Sequence, residues 1–125
     1  MNFSIFMLVM ALLIPLTMVA FGALFIKRPP TKINGLYGYR TKRSMQNGNT
    51  WLFAHIYFGR LWLMLGLVMM VPSVVGMILV LHKEIDTIGW TGGGIVLVQS
   101  VLMILPVFFT ERALKRTFDA YGRVR

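Results

Sequence analysis

Between Lys27 and Trp51 the chain gathers Asn34, Tyr37, Tyr39, Arg40, Thr41, Ser44 and Asn47 among the flexible Gly35, Gly38 and Gly48. Arg40 carries a planar fork of donors suited to a carboxylate or phosphate, and the phenols and hydroxyls around it add neutral donors and acceptors. Tyr37 and Tyr39, two positions apart, face the same way if this stretch is extended. A stretch whose sole task was to carry charge would need Lys and Arg without this concentration of aromatics, amides and hydroxyls. The plainer alternative is an interfacial belt, with tyrosines at headgroup level and Arg40 snorkelling to water. Further on, Ser44, Asn47 or Gly48, Trp51, His55, Phe58 or Gly59, Trp62 and Gly66 recur at spacings of three and four, one stripe of a helix. His55 is the group near the membrane whose charge changes near neutral pH. An enzymatic reading would make His55 a base for Ser44 or a water, oriented by Asp119 or Glu111 if the tail folds back.

Other chemistry is thin. His82, Glu84 and Asp86 alternate in one short segment, too few ligands for a metal centre against the simpler account of a solvated turn. The chain has no cysteine, which removes disulfides, thiolate metal sites and cysteine nucleophiles. Gly92, Gly93 and Gly94 lack the Lys-Ser/Thr ending and the preceding strand of a nucleotide loop, so they read as a place of close helix approach or flexibility. No motif calls for a cofactor.

The elements that must position these residues are membrane spans. With 57% hydrophobic residues and only 14% charged, the 125-residue chain is too apolar for a soluble domain, which averages about 45–50% and about 25%. Residues 3–26, 61–81 and 89–110 carry no charge, and about 20 such residues cross a bilayer as a helix. Apolar patterning extends the second of these back toward Thr50, so spans are expected at about 3–26, 55–81 and 89–110, with the long second helix projecting from the membrane or breaking at Gly59. Each span holds one proline, Pro15, Pro72 or Pro106, tolerated where a neighbouring helix satisfies the freed carbonyl. The first span is too long, and lacks the basic leader, for a cleaved signal peptide. Nothing reads as strand.

Charge sets the orientation. The net charge is +9, and the basic residues concentrate in loop 27–50, which has no acid, and in tail 111–125. Basic loops stay on the cytoplasmic side, which puts the amino terminus outside and both the motif loop and the carboxyl terminus inside. Assigned this way, the basic excess serves topology and contact with anionic inner-leaflet lipids rather than nucleic acid. In the tail, Leu114, Phe118 and Tyr121 fall on one helical face, Glu111 and Lys115 are spaced for an i,i+4 pair, and Gly122 follows as a terminator. A short amphipathic C-terminal helix is expected, lying on the leaflet or docked on loop 27–50. The fold class is thus an all-α integral membrane protein of three transmembrane helices in one domain. Gly59, Gly66 and Gly76 along the second span mark close helix packing, within the chain, in a homo-oligomer or in a larger complex as an accessory subunit.

These residues resemble the SdpI-like family of small bacterial membrane proteins, named for an immunity protein against a secreted peptide toxin. The resemblance rests on Asn34, Tyr37-Gly38-Tyr39-Arg40-Thr41, Ser44-Met45, Asn47, Thr50-Trp51, Ala54 and Gly59. In the tail it rests on Thr110-Glu111, Leu114-Lys115, Phe118-Asp119 and Gly122. The resemblance implies a non-enzymatic protein of the bacterial cytoplasmic membrane, with toxin resistance and signalling through a membrane-held transcriptional repressor as the family roles. The binding residues are then expected among Asn34, Tyr37, Tyr39, Arg40, Thr41, Ser44, Asn47, Trp51 and His55, with a peptide toxin, a repressor or an anionic headgroup as partner. The chain departs from the family pattern in having Asn49 before Thr50-Trp51, where an acid is common, and His55 after Ala54, where Asn is common.

Overall fold

The structure, a computed structural model, describes residues 2–125. Three long helices run up, down and up: α1 (Asn2–Lys27), α2 (Gly48–Leu79) and α3 (Ile85–Thr117). All three are long and apolar enough to cross a membrane. They are apolar all round rather than on one stripe, which is the pattern of a helix whose outer face meets lipid. Accordingly Val71, Leu97 and Phe108 are each about two-thirds exposed on the outside of the bundle. Among the described residues the one pairing of strand type is an isolated bridge between Phe118 and Val124.

Close packing of α1 on α2 depends on glycine. A side chain at Gly22 would meet the backbone of Leu63 and Gly59, and one at Gly66 would meet the carbonyl of Pro15. Gly59 in turn faces Gly22, and Gly76 faces Ile95 of α3. The glycines of the second span therefore serve contacts within the chain, and α2 runs through Gly59 without a break. At 32 residues α2 rises about 48 Å, more than the roughly 30 Å of a hydrocarbon core, so its ends project.

Pro15 has no N–H to give the carbonyl of Ala11, four residues back, and a buried amide from α3 supplies the missing donor. Gln99 Nε2 donates to Ala11 O at 2.8 Å and to Ser73 Oγ at 2.7 Å, and Ser73 in turn donates to Met69 O at 2.7 Å. One side chain thus ties all three helices at mid-depth. Its own Oε1 accepts nothing.

The ends of the bundle differ. The α2–α3 connection is a tight turn, to which Ser4 donates at Leu81 O (2.9 Å). The α1–α2 connection, residues 28–47, folds back over the helices. α2 begins at Gly48, because Asn47 and Thr50 form a reciprocal capping box, so the long second helix reaches back beyond residue 55 as its apolar patterning implied. The separate amphipathic tail helix is not formed. Its first half continues α3 to Thr117, and residues 118–125 then turn back, with Asp119 N–H donating to Arg123 O (2.7 Å) and Gly122 at φ +78°. Leu114 and Phe118 are buried as the apolar pattern implied, but Tyr121 lies beyond the helix end and is 79% exposed. Glu111 makes no ion pair with Lys115. It bonds Tyr39 instead.

Candidate functional site

The long loop is held by side chains that point at its backbone. His55 is fully buried, and its Nε2 lies 2.9 Å from the Tyr39 N–H while Nδ1 lies 2.8 Å from Trp51 O. An amide N–H can only donate and a carbonyl can only accept, so these partners require the neutral ring with its proton on Nδ1. The loop can approach this closely because residue 38 is glycine. Its φ is +112°, and a Cβ there would sit 2.5 Å from His55 Nε2. Trp51 packs on the same ring at 4.3 Å and donates from Nε1 to Pro30 O (2.8 Å), while Phe25 meets it edge-on at 5.0 Å.

Ser44 and Asn47 close the rest of the loop. Ser44 Oγ accepts the Thr41 N–H (2.8 Å) and lies 3.0 Å from both Tyr39 O and Thr41 O, and Thr50 Oγ1 donates toward Ser44 O (3.1 Å). Asn34 Oδ1 accepts the N–H groups of Leu36 and Tyr37 at 3.0 and 2.7 Å, shaping the turn that leads into the motif. From the other side the tail is pinned down: Asn47 Nδ2 donates to Gly122 O (2.7 Å) and Gln46 Nε2 to Ala120 O (2.8 Å). Asp119 organises that turn by accepting the N–H groups of Tyr121 and Arg123, each at 2.9 Å. The Arg123 N–H above all, with the Tyr121 N–H and the Arg123 side chain, holds its carboxyl below the usual range.

Over this frame the two tyrosines diverge. An extended strand would have put Tyr37 and Tyr39 on one face, but the positive φ of Gly38 between them turns the chain. Tyr39 goes inward, 6% exposed and 4.7 Å from the Phe58 ring, with its hydroxyl 3.1 Å from Glu111 Oε1 and 3.3 Å from Val107 O. Burial, then the Glu111 carboxylate, push this phenol well above its ordinary value. Tyr37 stays outward, 39% exposed, against Phe21 and Phe25 at 6.4 and 5.9 Å.

The two tyrosines roof an open groove of about 450 Å³, within the range of small-ligand sites. Its walls are Thr17, Phe21 and Phe25 of α1, Phe58 and Trp62 of α2, and Val107 of α3, and its rim is Leu36 to Thr41. Of the nine candidate residues, Tyr37, Tyr39, Arg40 and Thr41 line this groove, while Asn34, Ser44, Asn47, Trp51 and His55 lie behind it and shape it. Arg40 is exposed on the rim, where Nη1 donates to Gly35 O. The base–nucleophile pair of the enzymatic reading is not assembled. His55 and Ser44 are both committed to backbone groups, and Glu111 serves Tyr39 rather than the histidine.

Sequence reasoning missed the contribution of α1, though Phe21 and Phe25 are spaced at i,i+4. In a span that is apolar throughout, nothing distinguishes a groove wall from a lipid face. It also missed Glu111 as the partner of Tyr39, which depends on the depth at which α3 meets the loop.

The part of the chain that carries this loop and its helices matches a family model. The SdpI/YfhL protein family covers residues 31–110. The chain belongs to the SdpI/YfhL family. A relative from Bacillus subtilis (strain 168), the uncharacterized protein YfhL, is 33% identical over 109 residues, 84% of this chain and 86% of that protein. No solved structure matches. With three spanning helices, this family member is a multi-pass membrane protein.

Proposed function

We propose that this SdpI/YfhL family member is a non-enzymatic binding protein of the bacterial cytoplasmic membrane, whose Tyr-Gly-Tyr-Arg-Thr loop receives an anionic group at the inner leaflet. The observation that carries the reading is Arg40 on the rim of a groove whose roof is held by buried backbone-directed bonds from His55 and Ser44. Such rigidity is what a binding loop needs and a purely topological loop does not. The orientation follows the charge: residues 27–50 hold six basic side chains and no acid, which supports a cytoplasmic loop with the amino terminus outside. On this side anionic headgroups raise the local concentration of negative charge, and a guanidinium in reach of them is well matched.

The family role in resistance to a membrane-active peptide toxin, and in signalling to a repressor, then becomes a consequence of occupancy at this groove. The test is Arg40→Gln at matched protein level in cells challenged with a membrane-active peptide toxin of the kind the family answers to. Loss of protection with the protein still inserted supports the reading, and undiminished protection removes Arg40 from it.

A further inference from the structure

The groove is apolar along most of its walls and, Thr17 at its far end apart, keeps its polar side chains at the rim, and that shape specifies more than an anion. We infer that its ligand is an anionic phospholipid, with one acyl chain lying along α1 and the phosphate at Arg40; this rests on the reading of Arg40 given above. From Phe25 to Thr17 the wall follows eight residues of α1, about 12 Å at 1.5 Å per residue. That is close to one leaflet of a hydrocarbon core roughly 30 Å thick. A free phosphate or a soluble carboxylate would use the rim and leave this trough unfilled.

Two features of the rim fit a lipid. Leu36 is 93% exposed beside the groove mouth. An isobutyl group in that position gains burial where it dips into the boundary between headgroups and acyl chains. The Tyr37 phenol packs by its ring on Phe21 and Phe25 while its hydroxyl bonds nothing among the described residues, which places an unused donor beside Arg40 at headgroup level. Arg40 itself gives Nη1 to Gly35 O and keeps its other donors for a phosphate.

The experiment uses the full chain in neutral detergent, with native mass spectrometry reading retained lipid. Added phosphatidylglycerol is expected to stay bound about tenfold more strongly than phosphatidylcholine of the same chains, about 1.4 kcal/mol, because both carry the phosphate but choline's cation cancels its charge and meets Arg40 and a loop without acids. Arg40→Gln should bring the two lipids level. Val107→Trp, which fills the trough, should lower retention of both lipids while leaving the binding of glycerol 3-phosphate unchanged. A second measurement reads acyl-chain contact with the wild-type groove directly. Phosphatidylglycerol brominated on its acyl chain should quench wild-type tryptophan fluorescence more than brominated phosphatidylcholine does, and Trp62→Phe should remove the excess.

If glycerol 3-phosphate binds as tightly as phosphatidylglycerol and brominated chains leave Trp62 unquenched, the lipid assignment falls while the anion site at Arg40 stands. If a carboxylate-bearing amphipathic peptide binds in phosphatidylcholine nanodiscs and phosphatidylglycerol does not compete, the occupant is a peptide and the lipid assignment again falls. If Arg40→Gln retains phosphatidylglycerol and glycerol 3-phosphate as the wild type does, both readings fall together.

Discussion

Two buried polar groups hold this small bundle together, and they do so in opposite ways. At the loop end the His55 ring has both nitrogens bonded to backbone, and the residues around it, Trp51, Ser44, Asn47 and Thr50, each give or take further backbone bonds. At mid-depth Gln99 spends both amide hydrogens on Ala11 O and Ser73 Oγ and leaves Oε1 without a partner. The first arrangement over-determines a loop that has no secondary structure of its own. The second supplies the donor that Pro15 withholds from Ala11 O and reaches Ser73 of α2, a single side chain between helices that are already regular. Polar density therefore follows the need to order irregular chain rather than the need to hold helices together.

The contrast can be broken most severely at Gly38. Gly38→Ala forces a side chain into a positive-φ position against His55 Nε2, at a cost of roughly 1–3 kcal/mol for backbone strain alone and more for the displaced ring. Thermal unfolding in detergent should show the largest loss of this series, with loss of lipid or anion binding. His55→Ala is expected next, about 1–3 kcal/mol for the orphaned Tyr39 N–H together with a cavity beside Trp51. A variant as stable as wild type would mean that the loop is held elsewhere.

The mid-membrane tie should be weaker and conditional. Gln99→Leu is expected to cost about 0.6 kcal/mol, the average for bonds between membrane helices. In a Pro15→Ala background, where Ala11 O regains a helical donor, the cost should shrink further; a double-mutant cycle with no coupling would sever the link drawn between Pro15 and Gln99.

Smaller still are two titrations of the loop's periphery. Tyr39 has its native pKa raised, so its stabilising contribution is complete below the unfolded value near 10 and declines as pH rises above it. Tyr39→Phe should flatten that alkaline loss of stability while leaving a modest decrease at neutral pH. Asp119 has its native pKa lowered, so its contribution is present above the unfolded value near 4 and is lost as pH falls through the native one. Protection of residues 118–125, corrected for the intrinsic pH dependence of amide exchange, should fall under acid, and Asp119→Asn should show the lowered protection already at neutral pH.

The legible and illegible parts of the molecule divide along similar lines. Uncharged length alone marked the three helices, because a bilayer demands about 20 apolar residues whatever they are. The stripe through Ser44, Trp51, His55 and Phe58 is indeed buried, but periodicity could not say that its polar members face the loop backbone rather than a ligand. That distinction comes from Gly38, whose positive φ both separates Tyr37 from Tyr39 and brings the loop onto His55. The tail misled because Leu114 and Phe118 fit a helical face, whereas the chain turns at Phe118 to meet Gln46 and Asn47, contacts that lie far away in sequence.

Those same distant contacts bear on how the protein is made. Tyr39 with Glu111, Gln46 with Ala120 and Asn47 with Gly122 join residues separated by 72, 74 and 75 positions. A nascent chain with its first two spans inserted already carries every loop residue, but lacks the carbonyls and carboxylate that hold the loop from the far side. The groove is then finished only when α3 has packed, bringing Val107 to its wall and Glu111 to Tyr39, so a product ended before α3 would reach the membrane without presenting the site.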